Sequence, residues 1–294
     1  MALIIDGVKI SNDIKNELKE NSKKLFEEYN VIPGLAVLQV GEDPASSVYV
    51  NSKEKTCKEL GFYSILKRIP ETSSQNEILQ IIDSWNNDDK IDGILVQLPL
   101  PKHVDELKVI TSINPDKDVD GFHPQNVGRL VIGLKGHIPC TPYGITEMLK
   151  RYNIETSGKH TVVLGRSNIV GKPISNLMYQ KKEYANSIVT ICHSATKNIA
   201  YYTKQADILI VAVGSPHLIH KEDIKEGAVI IDVGINRIEA DNEKGYRIVG
   251  DVDYDDVFEK CSAITPVPGG VGKMTIAMLM QNTFNAANER AKRL

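Results

Sequence analysis

Lys53 occupies an unusual place in the sequence, on the inner side of a predicted amphipathic helix, Tyr49–Gly61. At about 100° per residue, Lys55 and Lys58 fall on the solvated side of this helix, whereas Lys53 falls within an apolar arc formed by Tyr49, Val50, Cys57 and Leu60. Two interpretations follow from the helix alone. Either the lysine stem pads a core while its amine reaches water, or the amine is held in a dry place, where a lysine can exchange protons near neutral pH.

Two more polar residues are predicted to reach the same crevice. Gln97 lies at the end of a buried strand, Ile91–Leu98, and ligands of open α/β sheets gather at the carboxyl ends of strands. Asp120 lies in a loop flanked by Gly and Pro, where catalytic and binding groups are common. The hydroxyl of Tyr49 and the amide of Gln97 can hydrogen-bond both an amine and a substrate. Each residue alone fits a structural role, but together with Lys53 they predict an active site.

A second site is predicted at the turn Gly165–Gly171, between a strand and a helix. Backbone N–H groups and the helix dipole can face a phosphate there, although the turn is not a G-x-G-x-x-G motif and also fits a connection that binds nothing. The next strand ends in Cys192-His-Ser-Ala195, without the Asp or Glu that holds the ribose 2′-hydroxyl of NAD. Arg166 and Ser194 can hold a 2′-phosphate instead, which favours NADP. A surface salt bridge is the alternative role for Arg166.

Apolar runs alternate with helical segments in two successive sets. The first set has predicted strands at Gly34–Val40, Tyr63–Ile69 and Ile91–Leu98, with a second helix at Asn76–Trp85. The second set has predicted strands at Thr161–Gly165, Ser187–Cys192, Ile208–Gly214 and Ala228–Gly234, and predicted helices at Gly171–Lys181 and Asn198–Gln205. The interval Asn114–Pro142 reads as a long loop before a helix at Tyr143–Tyr152, and a loop at Thr265–Gly272 leads into a last helix that ends near Ala291.

This pattern predicts two α/β domains with a cleft between them, the second a Rossmann-like, doubly wound parallel sheet. The expected boundaries are 1–140 for a catalytic domain, with the helix 273–294 packing back on it, and 141–272 for a nucleotide-binding domain. At 294 residues and 41% hydrophobic composition, the chain is long and apolar enough for two such cores.

Bulk properties exclude several classes of function. A net charge of −3 and a pI near 6.2 argue against a nucleic-acid partner, and the absence of a long apolar run argues against a membrane and for a cytoplasmic protein. The four widely spaced cysteines are expected to be buried and reduced. Cys192 and His193 point to opposite faces of a strand and do not suit a nucleophile–base pair. No metal site is expected, since His217 and His220 lack a third ligand.

Six motifs, taken in order, have a common precedent. They are Tyr49-Val-Asn-Ser-Lys-Glu-Lys55, Ile94-Leu-Val-Gln-Leu-Pro-Leu-Pro101, Lys117-Asp-Val-Asp-Gly121, Gly165-Arg-Ser-Asn-Ile-Val-Gly171, Asp232-Val-Gly-Ile-Asn236 and Pro266-Val-Pro-Gly-Gly-Val-Gly272. This set resembles the bifunctional methylenetetrahydrofolate dehydrogenase/methenyltetrahydrofolate cyclohydrolase family over essentially the whole chain. The resemblance implies NADP-dependent oxidation of 5,10-methylenetetrahydrofolate to the methenyl cation, and then hydrolysis to 10-formyltetrahydrofolate.

The resemblance also implies roles for individual residues. Lys53 would be the central catalytic group, Tyr49 would contact the folate ring, Gln97 would tune the lysine by hydrogen bonding, and Asp120 would accept hydrogen bonds from the pterin. The other implied substrate-binding residues are Val96, Leu98, Pro268, Gly269 and Gly270, the last three in a loop that would close over the cleft. The implied cofactor-binding residues are Gly165, Arg166, Ser167, Ser194 and Ile235. The family is dimeric through its cofactor domains.

Two positions depart from the family pattern. Lys273 stands where proline usually follows the Gly-Gly-Val-Gly run, at what would be the first helical position, and Ala195 stands where a basic residue often follows Cys-His-Ser, which weakens the preference for NADP. The rival functions are a monofunctional NAD(P)-dependent dehydrogenase of the same substrate, a non-catalytic nucleotide-binding regulator, and an amino-acid dehydrogenase that shares only the cofactor domain. Retention of Tyr49, Lys53, Gln97 and Asp120 argues against the first rival, and retention of Lys53 and Asp120 argues against the second. The motifs of the first half disfavour the third.

Overall fold

A computed structural model describes residues 2–243 and 245–293, except for the side chains at 44–46 and 48. Met1, Lys244 and Leu294 lie outside this description. Met1 is the first residue of the expected range 1–140, and Leu294 is the last residue of the expected helix 273–294. The chain divides into two compact units. The first unit comprises residues 13–140 and 276–294, and the second comprises residues 1–12 and 141–275. The predicted two-domain α/β class is confirmed.

The first unit is built on a parallel sheet. Its strands are β2 (Gly34–Val40), β3 (Tyr63–Ile69) and β4 (Gly93–Val96), in the order β3-β2-β4. Every residue of β2 is buried, as expected for a strand paired on both edges and covered on both faces. The helices with residues in this unit are α1 (Gly7–Tyr29), α2 (Pro44–Leu60), α3 (Gln75–Asn86), α4 (Glu106–Ser112), α5 (Pro124–Val131) and α10 (Val271–Ala291).

Helix α3 shows how sequence places these helices against the sheet. The Ser74 hydroxyl accepts a hydrogen bond from the Glu77 N–H at 3.2 Å and so caps the first turn. The apolar residues that follow recur at helical spacing and form one buried stripe, made of Ile78, Ile81, Ile82 and Trp85. This stripe belongs to the apolar core that also contains Ile94 and Val96 of β4.

The second unit contains a larger sheet whose described strands are all parallel. The strand order is β1-β11-β8-β7-β5-β6, with β1 at Leu3–Ile4, β5 at His160–Leu164, β6 at Ile188–Cys192, β7 at Ile208–Val211, β8 at Val229–Asp232 and β11 at Ala263–Ile264. A hairpin, β9 (Asn236–Glu239) and β10 (Tyr246–Val249), forms a separate antiparallel pair. The helices of this unit are α6 (Cys140–Arg151), α7 (Gly171–Met178), α8 (Ile199–Thr203) and α9 (Tyr254–Val257).

The strand order creates a switch point between β5 and β7. From β5 the chain moves outward to β6 on one side, then returns to β7 on the other side. Helices connected in opposite directions leave a crevice at such a point, outside the carboxyl ends of the strands, and nucleotides bind there in open α/β sheets. The predicted doubly wound topology is therefore confirmed.

The structure corrects the sequence analysis at several elements. The predicted loop Asn114–Pro142 contains the helix α5, which Pro124 begins and the His123 side chain caps, and it also contains the start of α6. Helix α1 and the β9–β10 hairpin were not predicted. At the N-terminus, β1 pairs with β11, so residues 1–12 belong with the second unit rather than with the range 1–140.

Lys273 is the third residue of α10 rather than the first, because this helix begins at Val271. Its backbone N–H donates to the Gly270 carbonyl at 3.1 Å, a bond that a proline at this position could not make. The departure from the family pattern thus adds a hydrogen bond to the first turn of the helix. In the described ranges, no helix combines the length and the apolar character that crossing a membrane requires.

A buried ion pair in the first unit yields a stability prediction. The Arg290 guanidinium donates to both carboxylate oxygens of Asp92, at 2.6 and 3.1 Å, and Asp92 also accepts from the Gly34 N–H. Removing the cation would leave a buried charge without its partner, so we expect Arg290→Met to lower the free energy of unfolding by about 3 kcal/mol. The single tryptophan, Trp85, is buried in the same unit, and its fluorescence during urea unfolding measures the change.

Arg293→Met is the matched control for this prediction. The Arg293 side chain is 69% exposed and lies 3.6 Å from Asp116, so its loss should cost less than about 1 kcal/mol. Equal losses of unfolding free energy in the two variants would show that the ion pair between Arg290 and Asp92 stabilises the fold no more than an exposed pair does.

Candidate active site and nucleotide-binding site

The structure brings Lys53 and Gln97 into direct contact within the first unit. Lys53 lies on α2 and is 9% exposed, on the same face as the fully buried Val50 and Cys57. Gln97 follows the last residue of β4, Val96. The Lys53 Nζ donates to Gln97 Oε1 at 2.9 Å. The interpretation of Lys53 as a buried amine, rather than as a stem that reaches out to solvent, therefore fits the observed geometry.

A neighbouring carbonyl fixes the orientation of the Gln97 amide. Its Nε2 donates to the Leu98 carbonyl at 2.7 Å, which leaves Oε1 to face the lysine. The Lys53 nitrogen has two more positions beyond this bond, so it can also contact a substrate atom or a water molecule. Tyr49 lies one turn earlier on α2 and is 44% exposed, which leaves its ring available to a ligand.

Asp120 lies close enough to Lys53 for the two side chains to interact electrostatically. Burial raises the pKa of the Asp120 carboxyl, while the positive charge of Lys53 and a hydrogen bond from the Cys140 thiol oppose this shift. Cys140 Sγ lies 3.7 Å from Asp120 Oδ1 and 3.5 Å from the Val119 carbonyl oxygen. Burial, and then the charge of Asp120, hold the pKa of this thiol well above its usual value. Cys140 therefore stays protonated and serves as a donor to the carboxylate.

The loop that carries Asp120 is held by residues that the sequence analysis did not single out. Asp118 is buried and accepts hydrogen bonds from the His123 N–H at 2.8 Å and from the Asn126 side chain at 2.9 Å. Asn282, on α10, donates to the Val119 carbonyl at 2.8 Å and to the Ile138 carbonyl at 2.9 Å. The sequence offered a signal only for Asp118, which lies inside a recognised motif.

Gly165 and Gly171 form the turn between β5 and α7 in the second unit. Gly165 has a φ of 118°, and a Cβ at this position would overlap the Ala212 carbonyl oxygen, which follows β7. The turn therefore crosses the switch point so closely that only glycine fits. A Cβ on Gly171 would likewise overlap the Gly165 carbonyl. Such close backbone approach suits the binding of a pyrophosphate at the start of a helix.

The other predicted cofactor residues lie around this turn. The Ser167 hydroxyl accepts from the N–H groups of Val170 and Gly171, at 3.1 and 3.3 Å, and so orders the turn from within. Arg166 is exposed and forms no ion pair with any described residue. Ser194 is exposed just after β6, which is paired with β5 up to Leu164 and Cys192. An exposed arginine and serine, without a carboxylate at the end of β6, fit a 2′-phosphate.

The loop Pro266–Gly272 and Ile235 also lie within the second unit. Gly269 has a φ of 115°, and its carbonyl accepts from the Val8 N–H at 3.1 Å. A Cβ on Gly272 would lie 3.2 Å from Ile235 Cδ1, so the glycine-rich loop and the segment after β8 are packed together. The expected substrate-binding residues are thus divided: Pro268, Gly269 and Gly270 belong to the second unit, whereas Tyr49, Lys53, Val96, Gln97, Leu98 and Asp120 belong to the first.

The fold and these two groups of residues define a dinucleotide-binding α/β protein with a buried amine in a separate unit. Comparison with known proteins gives a narrower class. The family model of the tetrahydrofolate dehydrogenase/cyclohydrolase catalytic domain matches residues 5–120, and that of its NAD(P)-binding domain matches residues 139–291. The chain belongs to the tetrahydrofolate dehydrogenase/cyclohydrolase family.

Individual relatives agree with this assignment. The bifunctional protein FolD of Chloroherpeton thalassium is 58% identical over 287 residues, which are 97% of this chain and 98% of that protein. The crystal structure of the bifunctional FolD methylenetetrahydrofolate dehydrogenase/cyclohydrolase of Campylobacter jejuni is 47% identical, with a TM-score of 0.93 over 99% of this chain and 100% of that one. The Trypanosoma brucei enzyme, solved with NADP cofactor and an inhibitor, is 36% identical, with a TM-score of 0.93 over 100% of this chain and 99% of that one.

The buried carboxyl of Asp118 predicts a pH dependence of stability. Burial raises its pKa to about 7 in the folded protein, against about 3.9 in an unfolded chain. Between these values the folded state keeps a proton that the unfolded state has released. The contribution to stability is therefore complete below pH 4 and is lost as the pH rises to 7, by at most about 1.4 kcal/mol per pH unit.

Urea unfolding of wild type and Asp118→Asn, followed by Trp85 fluorescence at pH 4, 5, 6 and 7, measures this contribution. We expect a flatter pH profile in the variant, because the titrating group is gone. Asp105→Asn, which alters an exposed carboxylate in the same unit, should keep the wild-type slope. If the unfolding free energy of Asp118→Asn changed with pH as steeply as that of wild type, Asp118 would not be the group that titrates.

Proposed function

We propose that this chain oxidises 5,10-methylenetetrahydrofolate to 5,10-methenyltetrahydrofolate with NADP, and then hydrolyses the product to 10-formyltetrahydrofolate. The observation that carries the proposal is the buried Lys53 amine, held at 2.9 Å by Gln97 beside a carboxylate, in a chain whose family joins these two activities. In this proposal the first unit binds the folate and carries the catalytic residues, and the second unit binds NADP.

In the hydrolytic step, Lys53 moves a proton between water and substrate. As water adds to the cationic methenyl carbon, the amine takes one proton from it, and the new C–O bond converts the cation into a hydroxylated adduct. The amine then returns this proton to N5 while the bond between N5 and the carbon breaks, and the second proton of the water leaves to solvent. The carbon remains on N10 as a formyl group. A group that acts in both directions must lie within hydrogen-bond reach of both the attacking water and N5.

The neighbours of Lys53 orient the reacting groups. The Gln97 oxygen accepts from the amine and fixes the direction of the remaining Nζ positions. Asp120, supported by the Cys140 thiol, is an acceptor for the N–H groups of the pterin ring. The exposed ring of Tyr49 offers a flat apolar surface to the folate.

In the oxidative step, the chain supplies position rather than a reactive group. Bound NADP would supply the hydride acceptor for this oxidation, and residues of the second unit would hold it in place. Gly165, Gly171 and Ser167 shape a turn for its pyrophosphate, while Arg166 and Ser194 would hold its 2′-phosphate. Arginine suits this role because its planar guanidinium can donate two parallel bonds to phosphate oxygens. Ala195 supplies no third contact, so the discrimination against NAD rests on those two residues.

We further propose that the protein is a cytoplasmic homodimer formed through the second unit. β6 is an edge strand of the sheet, and it exposes Ile188 by 64% and Ile191 by 45%. An apolar edge strand tends to pair with another strand, and a second copy of the chain would cover both side chains. A reducing compartment suits the four buried, unpaired cysteines.

Paired assays of wild type, Lys53→Met and Lys55→Met test the proposed function. One assay follows NADP reduction with methylenetetrahydrofolate, and the other follows decay of methenyltetrahydrofolate without cofactor. We expect wild type to catalyse both reactions and Lys53→Met to lose hydrolysis by about 100-fold or more, because it lacks the proton-transferring group. Lys55, on the same helix but 79% exposed, provides the control and should be replaceable without loss.

Two results would contradict the proposal. A wild-type protein that reduces NADP but does not hydrolyse methenyltetrahydrofolate would be a monofunctional dehydrogenase. Hydrolysis by Lys53→Met at the wild-type rate would show that the lysine only fills space in the core.

A further inference from the structure

The buried carboxylate of Asp251 accepts four hydrogen bonds, three from the loop after β7 and one from Asn236, the first residue of β9. Its Oδ2 accepts from the N–H groups of Val213 and Gly214, at 2.8 and 2.9 Å. Its Oδ1 accepts from the N–H of Ser215 at 2.9 Å and from the side-chain amide of Asn236 at 2.8 Å. Asp251 is fully buried, and a buried carboxylate requires hydrogen-bond donors in place of water. These four donors provide them.

A second carboxylate holds Asp251 in place. Asp232, the last residue of β8, accepts from the backbone N–H groups of Gly234, Asp251 and Val252, at 2.9, 3.0 and 3.0 Å. The two glycines beside these carboxylates leave no room for a side chain. A Cβ on Gly250 would overlap the Asp232 carboxylate, and a Cβ on Gly234 would overlap that of Asp251. The backbone around Asp251 is thus fixed before any ligand binds.

The two loops that meet at Asp251 follow β7 and β8, on the far side of the switch point from β6. A dinucleotide whose pyrophosphate lies on the Gly165–Gly171 turn, and whose 2′-phosphate lies at the end of β6, must extend its nicotinamide toward these loops. Each loop presents one apolar side chain to solvent: Val213 is 39% exposed, and Ile235 is 52% exposed. Two apolar side chains at this edge suit the flat nicotinamide ring.

We propose that Asp251 is a positioning residue for the nicotinamide end of NADP: by binding three consecutive N–H groups of one loop and Asn236 of the other, it sets the spacing of Val213 and Ile235. This inference rests on the proposed function, because it takes NADP as the ligand of the second unit. Asp251 itself touches neither cofactor nor substrate. Its effect passes through the backbone N–H groups of residues 213–215 and through the side chain of Asn236.

The chemistry of the contact requires a carboxylate. Two oxygens with two lone pairs each can accept four bonds, whereas an asparagine offers one oxygen and turns an NH₂ group toward N–H donors. Asp251→Asn keeps the size of the side chain but leaves two of the four donors facing another donor. The loops should then separate or shift, and binding of the nicotinamide end should weaken.

The experiment measures NADP affinity and both activities in wild type, Asp251→Asn and Asp207→Asn. For Asp251→Asn we expect the KM and the calorimetric Kd for NADP to rise at least tenfold, while cofactor-free hydrolysis of methenyltetrahydrofolate stays within twofold of wild type, because Lys53 and Gln97 belong to the other unit. Asp207 is the matched control. It accepts a hydrogen bond from the His160 N–H at 2.8 Å, at the amino ends of β5 and β7, whereas Asp251 lies near the carboxyl ends of the strands. Its replacement should therefore leave NADP affinity unchanged.

A second variant separates positioning from loss of folding. Asn236→Ala removes one donor and leaves Asp251 with three, so we expect a smaller rise in the KM for NADP, about threefold, with hydrolysis unchanged. Parallel loss of both activities in Asp251→Asn, with wild-type NADP affinity in Asn236→Ala, would show a purely structural role and overturn the inference. So would NADP affinity at the wild-type level in a folded Asp251→Asn. Absence of both activities from wild type would instead refute the proposed function.

Discussion

The hydrogen bond between Lys53 and Gln97 is the interaction on which the proposed activity of this protein depends. A lysine amine that is mostly withdrawn from water requires a fixed polar partner, and the Gln97 oxygen at 2.9 Å provides one. The bond also joins two elements of different kind, the inner face of α2 and the carboxyl end of β4. Because β2 and β4 are parallel, the helix that follows β2 begins at the edge where β4 ends. The architecture of the sheet therefore places the amine and the amide together.

Buried carboxylates order the loops in both units. Asp118 binds the N–H groups that follow Asp120, and Asp251 binds those that follow β7. Each carboxylate replaces the regular hydrogen bonding that a loop lacks, and each stands beside residues assigned to substrate or cofactor. Such loops are held before a ligand arrives, which lowers the ordering cost of binding. Burial disfavours the charged form of such acids. It raises the pKa of Asp118 to about 7, and it raises the pKa of Asp232, which binds the Asp251 N–H, to about 6.

The sequence predicts those features that depend on local pattern. β2 and β3 have the predicted bounds, because their apolar runs are bounded by Gly and Pro, and helical spacing alone turns Lys53 inward. Helix α5 was missed because it has only eight residues, within a stretch rich in Gly and Pro. The support of Asp120 could not be predicted, because Asn282 meets the Val119 carbonyl across 163 positions of the chain and Cys140 reaches Asp120 through tertiary packing. Contacts of that range leave no periodic signal.

A double-mutant cycle on the hydrolysis of methenyltetrahydrofolate tests the central claim most directly. The four proteins are wild type, Lys53→Met, Gln97→Leu and the double variant, and the rate is measured without NADP. If Gln97 acts by orienting the amine, its removal matters only while the lysine is present, so the double variant should be no slower than Lys53→Met alone. If the two losses instead multiply, Gln97 acts independently of Lys53, and the hydrogen bond between them is not the basis of the activity.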